Sequence, residues 1–163
     1  MHNAVVLTVS QALAECGISS LRFNFRGVGR SDGSHDEGRG EQDDILEAHA
    51  WLQERVSGTV LLIGYSFGAW VCAMAMRSIP RPAEAILIAP PLDLFTFPIA
   101  AIKGRLRLIV AAGNDAFCSA SHLKTFVSAL ACPLVSAPET DHFFSGSQAK
   151  LHRILADALT ANP

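Results

Sequence analysis

The stretch Thr59-Val60-Leu61-Leu62-Ile63-Gly64-Tyr65-Ser66-Phe67-Gly68-Ala69-Trp70-Val71-Cys72-Ala73-Met74-Ala75-Met76 decides how the rest of the chain is read. An uninterrupted aliphatic run over Thr59–Ile63 has the composition of a buried strand, and Phe67–Arg77 reads as an apolar helix. Between them lies Gly64-Tyr65-Ser66-Phe67-Gly68, a Gly-x-Ser-x-Gly sequence. Set between a strand and a helix, that pattern describes a sharp turn with the serine at its apex. The flanking glycines are expected to remove side chains that would collide with neighbouring backbone. The turn lifts the Ser66 hydroxyl to the C-terminal edge of a sheet and aims the helix N-terminus, with the Phe67 N–H, at the same point.

Outward from this turn, short aliphatic runs alternate with longer amphipathic segments, the pattern of an α/β domain with a mostly parallel sheet. Helices are expected over Ala4–Cys16, Glu41–Val56, His122–Leu130 and Gln148–Leu159, and further strands over Leu21–Phe25, Ala85–Ala89, Leu106–Ala111 and Leu134–Ala137. The expected architecture is a three-layer α/β sandwich with about five strands, one domain over residues 1–163. The glycine-rich loop between Gly27 and Gly40 follows a strand, as a dinucleotide loop would. No amphipathic helix opens directly behind Gly27-Val28-Gly29, so a tight turn explains those glycines better.

Composition narrows the function. Half of the 163 residues are hydrophobic and 17% are charged, which fits a chain with a large core. A formal net charge of −2 gives no electrostatic ground for binding nucleic acid or an anionic membrane surface. Lys103, Arg105 and Arg107 are read as flanking and decorating a strand. Cys16, Cys72, Cys118 and Cys132 form no CxxC pair and have no histidine at metal spacing, so no metal is implied. They are expected to be small apolar residues in a reducing compartment. With no signal peptide and no membrane span in evidence, the expected location is cytoplasmic.

A serine hydroxyl is a poor nucleophile at neutral pH and needs a base that a third group holds in place. Asp115 follows the strand Leu106–Ala111 through Gly113-Asn114, and His142 follows Leu134–Ala137 through Pro138-Glu139-Thr140-Asp141. Ser66, Asp115 and His142 thus fall at the C-terminal ends of three parallel strands, in the order Ser, Asp, His. Asp93, just after Ala85–Ala89, and Asp141, beside the histidine, are competing candidates for the acid. His35, His49, His122 and His152 have no strand-end position.

Four stretches carry a family resemblance: Leu21 to Ser31 (LRFNFRGVGRS), Gly64 to Ala69 (GYSFGA), Ala89-Pro90-Pro91, and Asp141 to Phe144 (DHFF). In them the chain resembles small, lid-poor α/β hydrolases related to dienelactone hydrolases and acyl-peptidase-type domains. The resemblance implies nucleophile Ser66, acid Asp115, base His142 and no organic cofactor. Phe67 would supply one oxyanion donor. Such families usually have further strands before the first helix, ending in a loop that gives a second donor; here Met1-His2-Asn3 stands where that helix begins. Leu21–Phe25 is therefore expected to pair directly with Thr59–Ile63, with a homodimer covering exposed apolar surface. Hydrolysis of a small carboxylic ester is the leading expectation. Thioester or peptide cleavage by the same residues, or a binding module without turnover, are the alternatives. Phe95, in the apolar segment Pro90–Ile102, and Phe143 are candidate substrate-binding residues.

Overall fold

The structure is a computed structural model that describes residues 2–80 and 83–160. The central aliphatic runs form β1 (Leu61–Tyr65), β2 (Glu84–Ile88), β3 (Leu106–Asn114) and β4 (Leu134–Asp141). These four strands are all parallel and lie side by side in chain order. The helices are α1 (Ala4–Glu15), α2 (Arg39–Gln53), α3 (Phe67–Ala75), the single turn α4 (Ile99–Ile102), α5 (Ala120–Leu130) and α6 (Gln148–Thr160).

Period-two alternation along the strands splits the core into two layers. Ile86, Ile88, Leu108, Val110 and Ala137 face α1 and α6, where Val5, Val9, Leu13, Leu151 and Leu155 close the layer. Ala85, Leu87 and Ile109 face the other way, onto Ala69 and Ala73 of α3, Met76 just past its end, and Phe126 and Leu130 of α5. Beyond α3 lies α2, whose Ile45 packs on Val71, Cys72 and Ala75. Asn3 starts α1 by accepting the N–H groups of Val5 and Val6, which the first helical turn leaves unpaired.

Two readings need correcting. Leu21–Phe25 is not a strand, and among the described residues β1 pairs with β2 alone. The alternation of Leu21, Phe23 and Phe25 suits a strand, but an extended segment becomes one only by pairing. This segment is drawn instead toward α2 and α3. Phe25 meets Phe67 edge-on, while the Arg26 N–H, Nε and Nη2 all donate to the Asp44 carboxylate on α2. Leu21 and Phe23 are left about 40% exposed.

The second correction is Arg105, which does not decorate the surface. It is buried, and its guanidinium donates to the carbonyls of Met76, Ile79, Pro80 and Ala83. The C-terminus of α3 thus finds its hydrogen bonds in a side chain at the start of β3. Arg107 does lie toward the surface, paired with Glu84.

Candidate active site

β1 ends at Tyr65 and α3 begins at Phe67, leaving Ser66 alone to make the turn, at φ 54° and ψ −124°. For a residue with a Cβ this backbone costs on the order of 1–3 kcal/mol and persists only where surrounding contacts enforce it. Here the Ser66 N–H donates to Ile88 O at the end of β2, while Ser66 O accepts from the Ala69 and Trp70 N–H groups. Gly64 is what lets the helix return so closely: a Cβ there would lie 2.4 Å from Gly68 O and 2.6 Å from Ala69 Cα. The expectation for Gly68 was wrong, since a Cβ there would meet only the Phe25 ring edge, at 4.0 Å.

The register of the last two strands delivers the other residues. Asn114 pairs with Asp141, so Asp115 and His142 leave the sheet side by side. His142 Nδ1 lies 2.9 Å from both Asp115 carboxylate oxygens, and His142 Nε2 lies 2.7 Å from Ser66 Oγ. All three sequence candidates therefore meet in one hydrogen-bonded chain. The Asp115 and His142 side chains are 2% and 4% exposed. That exclusion of water strengthens the electrostatic coupling between them.

Neighbours fix this chain in place. The Tyr65 hydroxyl donates to the His142 carbonyl at 3.1 Å, and burial, together with Asp115 and Asp141, pushes the phenol up to about 12. Phe117 donates its N–H to Asp115 Oδ1 at 2.8 Å and sets its ring edge-on to His142, 4.7 Å between centroids. Phe143 flanks the same imidazole at 5.3 Å and is 61% exposed. Phe95 stacks on Trp70 at 4.5 Å and lies 6.0 Å from Phe67, whose ring also meets Phe25 and His35.

The competing candidates are engaged elsewhere. The Asp93 carboxylate accepts from the Ser119 N–H and hydroxyl and pairs with His122 Nδ1. The Asp141 carboxylate accepts from the Ser145 N–H, a bond that holds it below its ordinary range. His152 pairs with Glu15, and His35 with the fully buried Glu41. Burial, and then the nearby Arg105, pushes His49 down. Cys72 and Cys118 are poor nucleophiles, because burial raises them to about 12 and about 11, the latter also through Asp115. Among the described residues, no three His, Cys, Asp or Glu side chains gather where they could hold a metal ion.

Sequence reasoning passed over Tyr65 and Phe117. Tyr65 occupies a variable position of the turn motif. Phe117 could have been found from its spacing, since an aspartate often accepts the N–H two residues on.

Comparison with known proteins gives this geometry a family. Residues 3–162 match the alpha/beta hydrolase family. The chain belongs to it. A Xanthomonas campestris α/β serine hydrolase without a lid is 34% identical and superposes with a TM-score of 0.91, over 99% of this chain and 74% of that one. An α/β serine hydrolase homologue from Coxiella burnetii is 33% identical, with a TM-score of 0.85 over 96% of this chain and 76% of that one. An uncharacterized Rickettsia prowazekii protein, RP471, is 34% identical over 135 residues, 80% of this chain. This alpha/beta hydrolase chain spans 57% of that protein's length. In the described residues, no helix is long and apolar enough to cross a membrane.

Proposed function

We propose that this chain is a serine hydrolase that cleaves small carboxylic esters through an acyl-Ser66 intermediate. The observation that carries the reading is the continuous chain Ser66 Oγ–His142 Nε2, His142 Nδ1–Asp115. In this reading His142 Nε2 takes the Ser66 proton as Oγ attacks the ester carbonyl carbon. Asp115 holds Nδ1–H, so that the correct nitrogen faces the serine, and stabilises the imidazolium that forms. The carbonyl oxygen, now negative, lies at the N-terminus of α3. There Phe67 carries a first-turn N–H that the helix itself cannot satisfy.

Collapse of the tetrahedral adduct breaks the bond to the leaving alcohol, which takes the proton from His142 Nε2. A water molecule then gives its proton to the same nitrogen and attacks the acyl carbon. The carboxylic acid departs and Ser66 recovers its hydrogen. Phe67, Phe95 and Trp70 offer an apolar wall to the acyl group. In this reading the leaving group meets Phe143, which lies beside His142 and is largely exposed.

Ser66→Ala tests the reading. Removing such a nucleophile costs several orders of magnitude in kcat, so turnover of a short-chain p-nitrophenyl ester should vanish while the unfolding midpoint is kept. A fluorophosphonate probe should label wild type stoichiometrically and the variant not at all. An alanine variant with near-normal turnover, or wild type that never labels, would overturn it.

A further inference from the structure

We propose that Asp93 is a positioning residue for the Asp115–His142 pair, acting through the peptide and ring of Phe117. The proposal rests on the hydrolase reading for its kinetic consequences and on geometry alone for the rest. Phe117 touches both partners at once: its N–H holds Asp115 Oδ1, and its ring lies against the His142 imidazole. The bond from the Phe117 N–H to Asp115 is local, made within the loop of residues 115–119 between β3 and α5, so it ties the two residues to each other and not to the rest of the fold.

Asp93 supplies the fixing from outside. Its N–H donates to Phe117 O at 3.0 Å, and its carboxylate accepts the Ser119 N–H and hydroxyl, each at 2.9 Å. One residue of the loop after β2 therefore grips the acid-bearing loop on both sides of Cys118. His122 Nδ1 lies against the same carboxylate and orients it. The main-chain bond to Phe117 O remains in any Asp93 variant; what the carboxylate adds is its hold on Ser119, which steadies the loop carrying the Phe117 N–H against Asp115 Oδ1. Ser119 and His122 both bond to the aspartate and not to each other through a ring nitrogen, so the cluster is a clamp and not a second nucleophile site.

The alternative is a purely structural aspartate that caps α5, whose N-cap is Ser119. The two roles part in readouts that stability does not move. Asp93→Ala should lower kcat and the fluorophosphonate labelling rate about ten- to a hundredfold, with KM changed less than about twofold, as misplacement by about an ångström does. Asp93→Asn keeps the shape and one acceptor oxygen and should fall between alanine and wild type. Independently of turnover, the low-field proton resonance of His142 Nδ1–H should be sharp in wild type. It should broaden and exchange faster with water in Asp93→Ala.

A folded Asp93→Ala variant with wild-type resonance and labelling rate overturns the proposal. If alanine does not fold, Asp93→Asn decides: several-fold slower labelling and a broadened resonance support the clamp, and wild-type values overturn it. Wild type that shows the resonance but neither labels nor hydrolyses refutes the hydrolase reading alone, and the resonance in the variants still decides the clamp. Wild type without the resonance overturns the clamp.

Discussion

The two glycines of the serine turn look equivalent in sequence and are not equivalent in space. Alanine at Gly64 would place a methyl 2.4 Å from Gly68 O, 2.6 Å from Ala69 Cα and 2.8 Å from Ala69 N. All three are backbone atoms at the start of α3, so no side-chain rotation relieves the contact. The helix must retreat by roughly 0.6 Å to reach even a tight 3.0 Å, against α2, whose Ile45 packs on its far side. Overpacking of that kind costs about 2–3 kcal/mol, which for a chain of this size lowers the melting temperature by about 4–12 °C.

At Gly68, in the first turn of α3, the same methyl meets only the Phe25 ring at van der Waals distance. There the helical preference for alanine over glycine, up to about 1 kcal/mol, is unopposed. Gly68→Ala should be neutral or stabilising. Urea and thermal unfolding followed by circular dichroism measure both. Equal destabilisation by the two substitutions, or a Gly64→Ala variant within about 0.5 kcal/mol of wild type, would refute the packing argument.

Further outcomes concern charge. Asp115→Asn should reduce kcat by on the order of 10³–10⁴-fold, because an amide can hold the imidazole in the wrong tautomer. Ester turnover within tenfold of wild type would return the acid role to another carboxylate. Glu41 is fully buried; burial alone would raise its pKa, but the Asp36 and Gly38 N–H groups and His35 hold it below the ordinary range. A depressed folded value means its contribution is complete above the unfolded carboxylate range, about pH 4.3, and fades as pH falls through the folded value. Urea unfolding of Glu41→Gln should therefore lie furthest below wild type at neutral pH and converge on it in acid. A constant gap would exclude the linkage.

The sequence read well wherever one strand end carried one residue. Ser66, Asp115 and His142 each sit one position past the observed end of a parallel strand and a few positions past the aliphatic run expected from sequence, so strand order and chain order sufficed to bring them together. It read poorly where the outcome depended on a partner distant in the chain. Leu21–Phe25 has every local feature of a strand, yet its neighbours Asp44 and Phe67 decided its course. Glu41, the first residue of the expected helix Glu41–Val56, is the buried anchor of the glycine-rich loop. Asp93 stood after a strand in the right way for an acid, and only its bonds to Ser119 and His122 show that its carboxylate is occupied. Periodicity reports which face a residue takes; it says nothing about which loop folds over it.

Arg105 extends that lesson to mutational tolerance. A guanidinium reaches four carbonyls because its nitrogens diverge in a rigid plane: Nη1 to Met76, Nη2 to Ile79 and Pro80, Nε to Ala83. An ammonium has one nitrogen and cannot span them, so lysine, the exchange that charge conservation favours, would leave carbonyls dry and unpaired. Position 105 therefore accepts substitution on the terms of the protein interior, although Arg107, two residues on, lies toward the surface. Because α3 is nine residues long and starts at the serine turn, the arginine anchors the far end of a rod about 14 Å in length whose near end carries the chemistry.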